Sequence, residues 1–118
     1  MTVLLVALGA AVGAPLRYLA DRAVQARHDS LFPWGTLTVN VLGSALLGFL
    51  AAVPAPGPVM ALLGTGFCGA LTTYSTFGYE TVRLVRDGAG TYALLNALGS
   101  VAAGFGAAWC GMTVALAL

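Results

Sequence analysis

The residues of this 118-residue chain that could do chemistry are mostly uncharged, and many of them recur at every fourth position. In Trp34-Gly-Thr-Leu-Thr-Val-Asn-Val-Leu-Gly-Ser-Ala-Leu-Leu-Gly, the residues Thr36, Asn40, Ser44 and Gly48 fall four apart. That spacing places them on one face of a helix. Two readings fit an Asn in such a stripe. It can glue one apolar helix to another, or its amide NH2 can offer two donors to a passing anion. Tyr92, Asn96, Ser100, Gly104 and Ala108 repeat the spacing later in the chain, polar at one end and small at the other. Glue is the plainer reading there.

Between the two stripes lies Gly64-Thr-Gly-Phe-Cys-Gly-Ala-Leu-Thr-Thr-Tyr-Ser-Thr-Phe-Gly-Tyr-Glu80. Its Gly and hydroxyl residues make a poor continuous helix. Broken helices are tolerated at membrane depth where the freed backbone groups line a cavity or bind an ion, so exposed carbonyls here suggest a cation site. Ser and Thr bonding back to the preceding turn is the alternative. Tyr74 and Phe77 share a face with Glu80 one turn on, and an aromatic ring edge carries positive quadrupole that can meet a desolvated anion. Arg17, after Pro15, can snorkel to an interface or hold an anion-attracting vestibule. An enzyme finds little to work with: His28 is the only His, and no Cys or Ser has a base partner in the apolar stretches.

The elements that must position these residues follow from charge and hydropathy. Five Arg and four acidic residues are all the charge there is, 59% of the chain is hydrophobic, and the mean hydropathy is +0.92. A soluble domain carries about a quarter charged residues, so this composition describes a membrane protein. The charges leave free stretches from Met1 to Leu16, Ser30 to Tyr79 and Gly88 to Leu118. A crossing needs roughly 20 apolar residues, and Pro54, Pro56, Gly57 and Pro58 divide the middle stretch in two. The pattern predicts an all-α membrane protein, a single domain over residues 1–118, with four helices at Thr2 to Arg22, Trp34 to Val53, Val59 to Arg83 and Thr91 to Ala117. The first is read as a helix rather than a cleaved signal, because it lacks a basic start.

Four such helices make a thin bundle whose polar side chains need cover, which favours an oligomer. All five Arg flank the two loops of one side, predicting those loops in the cytoplasm. A net charge of +1 with no basic cluster excludes nucleic acid as a partner. Cys68 and Cys110 fall in apolar spans, where a free Cys packs as a small hydrophobe.

Three stretches resemble the CrcB/Fluc family of fluoride channels: Gly13-Ala-Pro-Leu-Arg-Tyr18, Gly35-Thr-Leu-Thr-Val-Asn-Val-Leu-Gly43, and Gly66-Phe-Cys-Gly-Ala-Leu-Thr-Thr-Tyr-Ser-Thr-Phe77 followed by Glu80. The resemblance covers the whole chain. It implies a plasma-membrane subunit with a broken third helix, half of an antiparallel dimer with two pores along the subunit interface, exporting fluoride passively. By the same resemblance Asn40 donates to fluoride, and Tyr74 and Phe77 are pore aromatics. Ser75, Thr76 and Ser100 match hydroxyls of the polar track. Arg17 and Glu80 match vestibule and mouth residues, and the carbonyls of Gly69 and Thr72 match the holders of a structural sodium. The implied partners are fluoride, membrane lipid and a second subunit.

Two positions depart from the pattern: Tyr74 stands where Phe is usual, and Asn96 where Tyr is expected. The one-sided Arg also bears on the dimer. One sequence inserting both ways calls for a weak charge bias, so the expected dimer is either a homodimer or a heterodimer with an oppositely oriented paralogue. The competing function is a small multidrug-type proton-coupled exporter, which needs a membrane-embedded carboxylate. The first helix has no acid before Asp21.

Overall fold

The computed structural model describes residues 1–27, 32–53, 56–72 and 75–118, whose regular structure is entirely helical. The elements are α1 (Thr2–Ala26), α2 (Trp34–Ala52), α3 (Gly57–Leu71), α4 (Ser75–Arg86) and α5 (Gly90–Ala117). Three of them, α1, α2 and α5, are long and apolar enough to cross a membrane. Even α2, with 19 residues, reaches about 28 Å at 1.5 Å per residue, close to a hydrocarbon core.

The expected first helix stops at Arg22, but α1 runs a further turn to Ala26. The charged turn stays helical because Arg22 lies back on the turn before it. Its Nη1 donates to the Tyr18 hydroxyl at 3.2 Å, and its guanidinium stands 5.7 Å from that ring's centre. The start of α2 is tied to this end of α1 by Gln25. The Gly35 N–H donates to Gln25 Oε1 at 3.3 Å, and Gln25 Nε2 donates to the Phe32 carbonyl at 3.4 Å. An orphan donor of the first turn of α2 is thereby satisfied from another helix.

The third predicted helix, Val59 to Arg83, is interrupted. It begins earlier, at Gly57, ends at Leu71, and restarts at Ser75. Thr72 at the break is extended, with φ −78° and ψ 157°. Its N–H and its hydroxyl both donate to the Cys68 carbonyl, at 3.0 and 2.8 Å. Most of α3, Met60–Cys68, winds as a π-helix, a rare form that tends to mark functional segments. Gly9 and Gly13 of α1 dock on it so closely that a Cβ at either would collide with backbone of α3, at the Leu62 and Phe67 carbonyls. The pair at GxxxG spacing is therefore a helix contact.

α4 closes with a Schellman turn. Gly88 takes φ +77°, its N–H donates to the Val85 carbonyl at 3.2 Å, and the Ala89 N–H reaches the Leu84 carbonyl at 2.8 Å. Glycine is favoured there because L side chains avoid that region. The chain then enters α5, one residue earlier than the expected Thr91.

α2 and α5 lie backbone to backbone: a Cβ at Gly48 would strike the main chain of Ala108, and one at Gly111 the main chain of Ala45. Alanine is about 1 kcal/mol better than glycine within a helix, yet Gly48→Ala is expected to destabilise the protein by about 1–3 kcal/mol through overpacking. Thermal unfolding in detergent tests this; an unchanged or raised midpoint would mean that the seam yields.

Candidate functional site

The α2 stripe runs from one end of the bundle into its middle. Thr36, 2% exposed, donates its hydroxyl to a carboxylate oxygen of Glu80 on α4. One turn on, Asn40 lines a cavity of about 380 Å³. Ser44 of α2, Thr72 at the helix break, Phe77 of α4 and Ser100 of α5 line it too. A second cavity, also about 380 Å³, shares Ser44 and continues past Gly48 between α2 and the Phe105 and Trp109 end of α5. From Asn40 onward the stripe thus faces two adjoining cavities that form a groove along the seam of α2 and α5.

No charged side chain is among the described residues lining the first cavity. What it offers is an amide, hydroxyls and an aromatic ring, which are neutral groups able to turn hydrogen toward an anion without fixing a countercharge beside it. Charge gathers instead in a smaller polar cleft of about 170 Å³, lined by Glu80, Asp21, Gln25, Arg83 and Asp87. Arg17 is half-buried on α1, one turn before Asp21, and lines neither space.

Of the residues singled out in the sequence, Asn40, Phe77, Ser100, Gly69 and Thr72 meet around the first cavity, and Glu80 stands in the cleft. Tyr74 lies outside the described residues. Ser75 and Thr76 form the first turn of α4, and their side chains lie outside the described set. Gly69 lies in the last turn of α3 and Thr72 caps its end, where an ending helix leaves carbonyls without intrahelical donors. A Cβ on Gly69 would meet nothing within 4 Å, so that backbone borders open space. Among the described residues no three His, Cys, Asp or Glu gather to hold a metal. A cation at the break would be held by main-chain oxygens, which suits a hard ion.

Two residues of the site carried weaker signals. Ser44 was visible only as a member of the stripe, and it joins the two cavities. Asn96, marked as a departure, is wholly buried. Its Nδ2 donates to Thr81 Oγ1 at 2.8 Å, and it accepts from Ser100 Oγ at 3.2 Å. This is the glue expected of the α5 stripe, and it ties α5 to α4 just below the cavity.

Residues 4–112 match the family described as CrcB-like protein, Camphor Resistance (CrcB). The chain is 58% identical over 122 residues to a protein of Streptomyces avermitilis named fluoride-specific ion channel FluC 1, a match covering 100% of this chain and 98% of that one. It is 57% identical over 127 residues to a protein of the same name in Frankia casuarinae, with the same coverage. A protein named fluoride-specific ion channel FluC 2 in Rhodococcus jostii is 50% identical over 111 residues, covering 94% of this chain and 96% of that one.

Proposed function

The chain belongs to the CrcB-like family, and from that membership we propose that it is a fluoride-selective channel letting cytoplasmic fluoride leave down its electrochemical gradient. It is a multi-pass membrane protein and not an enzyme. The observation that carries the reading is the cavity where Asn40, Phe77 and Ser100, remote in sequence, converge with no charged side chain among the described lining residues. Fluoride is small and strongly hydrated, so a pore must replace its water with donors set closely around it. Amide, hydroxyl and ring-edge hydrogens do so without a fixed cation that would trap the ion.

In this reading α1, α2, the broken pair α3 and α4, and α5 make four crossings. Asn40 is the central donor, Phe77 and Tyr74 present ring edges, and Ser75, Thr76 and Ser100 continue the path. Glu80 and Arg17 shape the approach. The groove along α2 and α5 is open in a single subunit, and an antiparallel second subunit would close it into a pore. A sodium ion would be held by the main-chain oxygens of Gly69 and Thr72; it would supply fixed positive charge near the dimer centre. The second subunit is either another copy or an oppositely inserted paralogue. The one-sided Arg favour the latter, and the relatives carry the names FluC 1 and FluC 2. A proton-coupled exporter would need a carboxylate in the cavity, and the described lining holds none.

Expression in a bacterium stripped of its own fluoride channel is expected to restore growth in fluoride-containing medium. Unrestored growth despite membrane expression would count against the channel reading for the chain on its own.

A further inference from the structure

The hydrogen bonds around Asn96 have only one consistent direction. A main-chain carbonyl can only accept, so the Thr81 hydroxyl, 2.8 Å from the Phe77 carbonyl, must donate to it. The Thr81 oxygen is then left to accept, which requires the NH2 of Asn96 on that side, at 2.8 Å. The amide oxygen of Asn96 must therefore face Ser100, whose hydroxyl donates to it at 3.2 Å. A serine hydroxyl has one proton. With that proton held by Asn96, Ser100 turns lone pairs rather than hydrogen toward the cavity it shares with Asn40 and Phe77.

We propose that Asn96 is a positioning residue that sets the fluoride affinity of the pore by holding the Ser100 proton away from the cavity. The inference rests on the channel reading and deepens it. A fluoride ion arriving at Ser100 obtains its donor only when the hydroxyl turns from the Asn96 oxygen to the ion. That exchange trades a hydrogen bond to a neutral amide for one to an anion, so Ser100 binds the ion more weakly than a free hydroxyl would. Weak binding favours passage, because conduction requires that an ion leave as readily as it enters. Burial makes the arrangement firm: Asn96 is 0% exposed, and no water competes for its amide.

The test is the fluoride dependence of flux in proteoliposomes for wild type, Asn96→Leu, Ser100→Ala and the double variant. Leucine fills a similar volume and leaves the Thr81 proton on the Phe77 carbonyl, so the one donor that loses its acceptor is the Ser100 hydroxyl. Asn96→Leu is expected to saturate at roughly tenfold lower fluoride with a lower maximal rate, the scale of one hydrogen bond to an ion. In the Ser100→Ala background the same change is expected to leave the half-saturating concentration unmoved.

Thr81→Val is a second route to the same end. Without the Thr oxygen, the amide of Asn96 can turn its NH2 to Ser100 and release that proton, so half-saturation is expected to fall as well. An Asn96→Leu shift that persists without the Ser100 hydroxyl, or half-saturation that rises in both Asn96→Leu and Thr81→Val, would overturn the proposal while leaving the channel reading intact. A wild type that passes no fluoride would overturn both.

Discussion

Phe77→Ile is expected to lower fluoride flux by roughly ten- to a hundredfold while the protein elutes unchanged in size-exclusion chromatography. Phe77 lies on α4 shortly after the break at Thr72, and it lines the cavity with Asn40 and Ser100. Isoleucine keeps an apolar side chain there but has no ring edge to offer an anion. The Thr81 bond to position 77 uses the main-chain carbonyl, so the local helix and its tie to α5 survive the change. An anion in the cavity then lacks one partner, a loss of about 1.5–3 kcal/mol if the ring edge counts as a hydrogen bond to a charged group. Normal flux in the variant would remove Phe77 from the ion path.

Asn40→Asp should be more severe. The shape is retained, but two N–H donors become an anionic acceptor facing the cavity. Two like charges 4 Å apart repel by about 4 kcal/mol at an effective dielectric of 20, roughly a thousandfold in occupancy. The cavity's described lining carries no cation to offset it. Transport is expected to stop, with the chain still folded and inserted. Unchanged fluoride conductance would show that Asn40 does not meet the ion.

Helix spacing made much of this architecture legible. The four-residue rhythm of Asn40, Ser44 and Gly48 required only an α-helix to become a lined groove, and that is what α2 provides, while Thr36 one turn earlier bonds Glu80. The break in the third helix was legible as a Gly- and Thr-rich segment unsuited to continuous winding, and Thr72 is extended there. The π winding of Met60–Cys68 was not legible, because no local pattern encodes it and the segment lies against Gly9 and Gly13 of another helix. Gln25 was invisible for a similar reason: a lone amide at a helix end gives no sign that it will bridge to Phe32 and Gly35 across a loop. Asn96 was half legible. Its register on α5 could be read, but the direction of its hydrogen bonds depends on Thr81 and the Phe77 carbonyl, which only the packed helices bring to it.

Selective conduction of fluoride is the property on which the assigned role of this chain depends. Its most direct test is efflux from liposomes containing the purified protein alone, followed with a fluoride electrode and with chloride as the control anion. Rapid fluoride efflux with negligible chloride efflux is the predicted result for a chain that pairs with its own copy. If pairing requires a paralogue, the same selective efflux is predicted once that subunit is added. Chloride passing as readily as fluoride, or no fluoride efflux from folded protein even with the paralogue present, would mean that this chain is not a fluoride-selective channel.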